Sequence, residues 1–276
     1  MPIEKIGVVG CGLMGSGIAQ TAAQAGLQVT VREVSTELLD KGFANMDKSL
    51  ARLIQRGTLT AVDRDSARAR LRGTTKLEEL AGCDFIIEAI TEQLAAKKEA
   101  FAVLDKVCPP QTIYASNTSS LSITEMAVAT RRPERFVGLH FFNPVPIMKL
   151  AEVIRTIATD PKVYEEVVAF AGRLGKMAVR TSDRTGFVVN RLLVPYLLDA
   201  VRALEEGVAS IPDIDLAMKL GTNYPFGPFE WCERIGIRNV YELLKAVYDD
   251  TKDDRYKISS RLEMEASLIH AKAQSR

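Results

Sequence analysis

Histidine is almost missing from this chain of 276 residues: there are two, His140 and His270. Imidazole chemistry therefore has very few candidates. An excess of one charge is also missing. Thirty-six Lys and Arg stand against 35 Asp and Glu, a net charge of +1. That argues against nucleic acid as the main ligand, because phosphate binding usually leaves a strong basic excess. No apolar run approaches the roughly 18 residues of a membrane span. The opening MPIEKIGVVG puts an acid and a base before a short strand, so no secretory signal is expected. The cysteines Cys11, Cys83, Cys108 and Cys232 form no CxxC pair. Reduced thiols in a cytoplasmic compartment fit them better than a disulfide framework, and no metal site is expected. Internal repeats and low-complexity segments are absent as well. What is present is a chain 47% apolar and 26% charged, unlike an acidic disordered chain. It is long enough for one large or two modest domains with a real core.

The first part of the chain alternates short β-rich runs with longer helical ones. Strands are expected at Lys5–Val9, Gln28–Arg32, Phe85–Ala89, Thr112–Ala115, Phe136–Leu139 and Leu150–Ile154. Helices are expected at Met14–Ala25, Thr36 to about Gln55, and Leu94–Val107. This alternation predicts a doubly wound, mainly parallel sheet covered on both faces, an α/β fold of the Rossmann-like kind. After about residue 184 the strands stop. Phe187–Glu205, with Pro195 inside it, Ile211–Leu220, Asn239–Tyr248 and Ser259–Ala273 all read as helices. The expected division is an α/β domain over 1–184 and an all-helical C-terminal domain over 185–276. Arg64, Arg68, Arg70 and Arg72 read as a solvated helix face, with attraction of an anionic substrate as the alternative.

Gly10, Gly12 and Gly15 form G-x-G-x-x-G around Cys11, Leu13 and Met14. A strand precedes this loop, a helix follows it, and the next strand ends at Arg32-Glu33. Glu33 lies about 18 residues past Gly15, near the acidic position of the dinucleotide fingerprint. Gly10 permits the tight turn, Gly12 lets backbone approach a pyrophosphate, and Gly15 lets the helix pack close to the sheet. The helix N-terminus offers free N–H groups and a positive dipole end to phosphates. An acid there accepts both ribose hydroxyls and repels a 2′-phosphate, which favours NAD over NADP. Arg32 beside it could pair with a 2′-phosphate. FAD enzymes use the same loop, so the loop alone names no reaction.

His140 closes a short apolar strand and is followed by Phe141-Phe142-Asn143-Pro144-Val145-Pro146, a rigid extended stretch. Open α/β sheets place ligands at such strand ends. Glu152 lies twelve residues on, within Leu150-Ala151-Glu152-Val153-Ile154. A carboxylate among those neighbours is hard to explain by packing, and a histidine is its natural partner. The bland reading is a satisfied core histidine and an exposed edge glutamate. Upstream, Ser116-Asn117-Thr118-Ser119-Ser120 follows a strand and reads as a turn or as a set of ligand hydroxyls. Downstream, Asn190 falls in the first turns of the long helix, as a capping or an inward-facing residue.

Six blocks together resemble the L-3-hydroxyacyl-CoA dehydrogenase family: GVVGCGLMGSGIAQ, IIEAITEQLAAKKEAF, ASNTSSLSI, GLHFFNPVPIMKLAEVI, DRTGFVVNRLLVPYLLDA and LAMKLGTNYPFGPFE. The resemblance runs from about Lys5 to about Leu262 and points to the short-chain, 3-hydroxybutyryl-CoA type. It implies that His140 is the catalytic base and Glu152 its orienting acid. Ser119 would touch substrate and nicotinamide, and Asn190 would complete the substrate set. Gly10, Gly12, Leu13, Met14, Gly15, Glu33, Glu92, Lys97, Ser119 and Asn143 would hold NAD. Ser49 and Arg56 would meet coenzyme A, with Arg56 replacing the family's more usual Lys. Glu33 stands where the family usually has Asp.

The resemblance further implies reversible oxidation of an L-3-hydroxyacyl-CoA to the 3-ketoacyl-CoA, in a cleft between the domains of a homodimer built on the helical domain. The alternatives are a related dehydrogenase for a non-CoA hydroxy acid of the carnitine or gulonate type, and a non-catalytic NAD-binding structural protein. The family's closing Gly- and Lys-containing segment is not matched here. Asp254-Arg255-Tyr256-Lys257 and a charged run containing His270 stand in its place, and His270 is expected at the surface.

Overall fold

The computed structural model describes residues 3–264. Both His270 and the end of the helix expected at Ser259–Ala273 lie outside the described residues. The chain divides into two compact units, Met1–Asp183 and Arg184–Arg276.

The first unit is built on an eight-stranded sheet. Its strands are β1 (Lys5–Val9), β2 (Gln28–Arg32), β3 (Leu71–Thr74), β4 (Phe85–Glu88), β5 (Ile113–Ser116), β6 (Phe136–Phe141), β7 (Leu150–Arg155) and β8 (Met177–Ser182). Their spatial order is β3-β2-β1-β4-β5-β6-β7-β8. All neighbours pair in parallel except β6 with β7. The central strands β4, β5 and β6 are buried along their whole length. That is why they read as near-continuous apolar runs rather than alternating ones. β1 leads to β2 on one side and pairs with β4 on the other, so the strand order reverses at β1. The crevice beyond the C-terminal strand ends at such a reversal is where open α/β sheets take ligands.

Helices α1 (Leu13–Gln24), α2 (Thr36–Gln55), α3 (Ala61–Ala69), α4 (Leu94–Val107), α5 (Ile123–Ala127) and α6 (Pro161–Arg173) complete the unit. α1 is buried over Gly15–Ala23, and its small residues let it lie close to the sheet. Ser35 caps α2 by accepting the N–H of Leu38. Ile6, Val8, Ile18, Val29, Phe85, Ile87, Val137, Val153 and Phe170 belong to one core cluster, in which Phe85 and Phe170 meet edge to face at 5.0 Å. Full burial of such side chains is worth roughly 1.5–3 kcal/mol each.

Several expectations shift. The strand expected at Phe136–Leu139 runs on to Phe141, so His140 is inside the ladder. β3 and β8 had no apolar run to announce them; β8 is an edge strand, largely exposed. The four arginines do not form one helix face. Arg64 and Arg68 lie on α3, Arg70 caps it and Arg72 is in β3. Arg64, Arg68 and Arg72 pair with Asp65, Asp47 and Glu79.

In the second unit, α7 (Val189–Glu205), α9 (Pro228–Ile235) and α10 (Ile237–Thr251) pack around Val194, Leu197, Leu198, Val201, Val240, Leu244 and Val247, and α8 (Ile211–Thr222) lies against α9. α7 continues through Pro195. The buried Asp215 caps α9 by accepting the N–H groups of Phe229 at 2.8 Å and Glu230 at 3.3 Å. Gly227 is needed there, since a Cβ would come within 2.3 Å of the Asp215 carboxylate.

Candidate active site

The parallel run of β1, β4, β5 and β6 brings four loops to one edge of the sheet: the glycine loop, residues 89–93, residues 117–122 and residues 142–149. Each candidate residue of the first unit apart from Ser49, Arg56 and Glu152 sits in or beside one of them.

Gly10 has φ +100°, and a Cβ on it would come within 2.5 Å of the Ala89 carbonyl oxygen. A Cβ on Gly15 would come within 1.9 Å of the Gly10 carbonyl oxygen. These two glycines are demanded by the fold itself. Gly12 differs, because a Cβ there would meet nothing within 4 Å. Its freedom serves the open space in front of the α1 N-terminus, which suits a pyrophosphate. Leu13 is 70% exposed beside it. Glu33, just past β2, accepts the N–H of Cys11 at 2.8 Å through Oε2 and that of Val34 at 2.7 Å through Oε1. The acid is thus already held against the glycine loop, where a ribose would lie. Arg32 donates to the Thr75 carbonyl at 3.3 Å. These residues fit NAD.

Asn117, Thr118, Ser119 and Ser120 follow β5 directly. Glu92 accepts through Oε1 from the Ser119 N–H at 3.1 Å, from the Ser120 hydroxyl at 3.3 Å and from the Thr118 hydroxyl. Burial would push the Glu92 pKa up, but the Lys97 ammonium, the Thr118 hydroxyl and the Ser119 N–H together hold it below the usual range. Lys97 is 1% exposed, and its Nζ lies 2.6 Å from Glu88 and 3.2 Å from Glu92.

His140 and Glu152 face each other directly across the antiparallel β6–β7 pair. Opposed residues of such a pair share a face with Cβ atoms about 5 Å apart. Nδ1 of His140 is 2.7 Å from Oε2 of Glu152; the His is 6% and the Glu 0% exposed. The ring of Phe142 lies 4.6 Å from the imidazole. Two residues earlier on the same face is Gly138, where a Cβ would crowd Ile154 and Ile123. α5 can therefore cover this face closely. With Nδ1–H given to the carboxylate, the basic lone pair lies on Nε2.

Four further polar residues shape the edge, and the sequence reading gave none of them a role of its own. Glu88 is fully buried beneath the serine turn. Asn117 accepts the Phe141 N–H at 2.9 Å and so ties that turn to the strand of His140. Lys176, buried, donates to the carbonyls of Val145 and Met148 and pins the loop after Asn143. Asp183 accepts from Ile123 at 3.1 Å and Thr124 at 2.7 Å and holds the start of α5. Glu88 had a readable signal, an acid inside the apolar run Phe85–Ala89, the same kind that singled out Glu152. Asn117 stood inside the turn already singled out; Lys176 and Asp183 had no such signal, since their partners lie far along the chain.

Asn143 is exposed at the start of its loop, before a cis peptide bond to Pro144. Ser49 and Arg56 lie two turns apart along α2, Ser49 half-buried and Arg56 exposed at its C-cap. Asn190 belongs to the second unit, half-buried in the first turn of α7.

A nucleotide-binding α/β unit with a buried His–carboxylate pair at its ligand edge defines the dehydrogenase class of Rossmann-like proteins. Residues 5–184 match the NAD binding domain of 3-hydroxyacyl-CoA dehydrogenase and residues 186–274 its C-terminal domain. The chain belongs to the 3-hydroxyacyl-CoA dehydrogenase family, whose match runs past the Leu262 at which the sequence resemblance was expected to end. It is 45% identical to the probable 3-hydroxybutyryl-CoA dehydrogenase of Bacillus subtilis over 93% of this chain and 90% of that one. It is also 45% identical to the mitochondrial hydroxyacyl-coenzyme A dehydrogenase of Homo sapiens, over 85% of this chain and 77% of that one. The crystal structure of (S)-3-hydroxybutyryl-CoA dehydrogenase from Ralstonia eutropha superposes with a TM-score of 0.94 at 39% identity, covering 96% and 94% of the two chains.

Proposed function

We propose that this protein is an NAD-dependent dehydrogenase that interconverts a short-chain L-3-hydroxyacyl-CoA and its 3-ketoacyl-CoA. The observation that carries this reading is the buried His140–Glu152 pair at the ligand edge of a dinucleotide-binding sheet. His140 takes the 3-hydroxyl proton on Nε2, a step worth about 10²–10⁴ in rate. Glu152, across the strand pair, stabilises the imidazolium that forms. Ser119 holds the reacting oxygen, and its backbone N–H is fixed by Glu92. Asn190 is assigned as a further substrate contact on its sequence motif. Bound NAD supplies the acceptor for the hydride that leaves C3. Gly10, Gly12, Leu13, Met14, Gly15 and Glu33 hold that cofactor, with Glu92, Ser119 and Asn143 at its nicotinamide side; Lys97, 1% exposed, serves that side only through Glu92. Ser49 and Arg56 on α2 receive the coenzyme A portion, Arg56 through its charge.

The protein is proposed to act as a homodimer in the cytoplasm. Leu192, Leu216 and Leu220 of the helical unit are 69%, 51% and 77% exposed, which supports self-association through that unit. All four cysteines are free thiols and buried, which suits a reducing compartment. Among the described residues no helix is long and apolar enough to cross a membrane.

The test is a steady-state comparison of acetoacetyl-CoA, longer 3-ketoacyl-CoAs and free 3-keto acids, each with NADH and NADPH. Highest kcat/KM is expected for acetoacetyl-CoA with NADH. Turnover of free acids without the thioesters would refute the substrate, and a tenfold preference for NADPH would refute the role of Glu33.

A further inference from the structure

Glu88 is at the centre of the ligand edge without reaching it. Its carboxylate, fully buried at the end of β4, accepts from Lys97 Nζ at 2.6 Å, from the Ile90 N–H at 2.7 Å and from the Ser116 hydroxyl at 2.6 Å. Its backbone carbonyl accepts the N–H of Asn117 at 2.8 Å. A buried ion pair is a poor device for stability alone, since apolar replacements of similar volume often do as well. Here the pair has a second consequence. Lys97 Nζ also lies 3.2 Å from Oε2 of Glu92, whose side chain is 40% exposed at the rim. A half-exposed glutamate would otherwise lose rotamer freedom for little return. Held by the buried ammonium, its other oxygen takes three donors from the serine turn.

We propose that Glu88 is a positioning residue: through Lys97 and Glu92 it sets the Thr118–Ser120 turn, and with it Ser119, for hydride transfer. The relay runs from a buried carboxylate to a buried ammonium to a rim carboxylate, and then to the Ser119 N–H. Asn117, fixed by the Glu88 carbonyl, passes the same register to Phe141 beside His140. One residue thereby sets the spacing between the two groups that are to grip the substrate oxygen. Lys97 acts from inside, as an anchor for Glu92 rather than as a cofactor ligand. This inference rests on the roles given to Ser119 and His140 above.

The test uses the full-length protein with Glu88→Gln and Glu88→Gln/Lys97→Met. The double variant removes both buried charges, so it should melt within about 5 °C of the wild type. NADH affinity, read by the fluorescence of the bound nicotinamide, should stay within about twofold. At saturating NADH and acetoacetyl-CoA, kcat should fall about tenfold, equivalent to about 1.4 kcal/mol. The deuterium isotope effect on kcat, with NADH labelled at the transferred position, should rise, because a misplaced Ser119 slows hydride transfer itself. Amide exchange at Ser119 and Ser120 should quicken about tenfold, and this readout needs no turnover. A folded variant with wild-type kcat, isotope effect and Ser119 exchange refutes the proposal. So does a tenfold loss of NADH affinity with kcat restored at saturation, which would make Lys97 a cofactor contact. If the double variant does not fold, Glu88→Gln, which keeps the shape and an acceptor, is judged by the same criteria. A wild type inert toward acetoacetyl-CoA refutes the substrate reading instead, and Ser119 exchange then decides this one.

Discussion

Replacing Glu152 with glutamine isolates what its charge does. Glutamine keeps the volume and one acceptor, so the Nδ1–H of His140 can still be held where the 2.7 Å bond now holds it. What is lost is the negative charge facing an imidazolium that appears only as the substrate proton is taken. Both groups are buried, the acid completely, so water screens that interaction little. A hydrogen bond to a charged group is worth about 1.5–3 kcal/mol. At about 1.4 kcal/mol per tenfold, kcat should fall by roughly 10- to 150-fold. KM for the CoA ester and affinity for NADH should change little, because the charge matters only once the proton moves. The assay follows NADH absorbance with acetoacetyl-CoA, alongside a thermal melt. His140→Gln, which removes the base itself, should cost at least as much. A folded Glu152→Gln enzyme with kcat within threefold of wild type would mean that the Glu152 charge takes no part in the step, and the same result for His140→Gln would mean that the base lies elsewhere.

Gly12→Val should melt like the wild type yet lose NADH affinity tenfold or more, since its side chain projects into open space; binding by fluorescence titration checks it. Gly15→Val should instead destabilise the fold, because a Cβ there collides with the Gly10 carbonyl. Burial and, for Cys11, nearby Glu33 push the thiols of Cys11 and Cys83 up to about 12. Native protein at pH 8 should therefore resist thiol reagents at these two sites until denatured, as peptide mass spectrometry would show. Asp105 is buried, which raises its pKa, but Arg131 and Arg132 outweigh that and hold it below the usual range. A depressed carboxylate stabilises the fold above its unfolded pKa of about 4, and that contribution is lost as pH falls through its folded value. Asp105→Asn should thus be less stable than wild type at pH 7, with the gap closing below about pH 4. Denaturant melts across pH check the sign.

Much of the nucleotide half of the site was legible because local rules write it. The turn at Gly10, the close packing at Gly15 and the acid at the end of β2 each follow from one strand–loop–helix–strand unit. The elements missed are those whose pattern is weak. β3 has four residues, including Gly73, and β8 is a polar edge strand with a single strand neighbour. α9 spans only eight residues, and its cap comes from the distant Asp215. α6 did carry a start signal, Asp160 before Pro161, but nothing in the chemistry drew attention to it.

By itself, the sequence determined which side chains were available and where the backbone had to turn, because both depend on neighbours a few residues away. It also narrowed imidazole chemistry to a strand end by having so few histidines. Only the tertiary structure decided the pairings. The antiparallel turn from β6 to β7 sets His140 opposite Glu152; a shift of one residue would send the two to different faces. The order β4-β5-β6 stacks Glu88, Asn117 and His140 at one edge although they come from separate segments. Strand order and register are long-range outcomes of the whole core, and no local pattern in this chain encodes them.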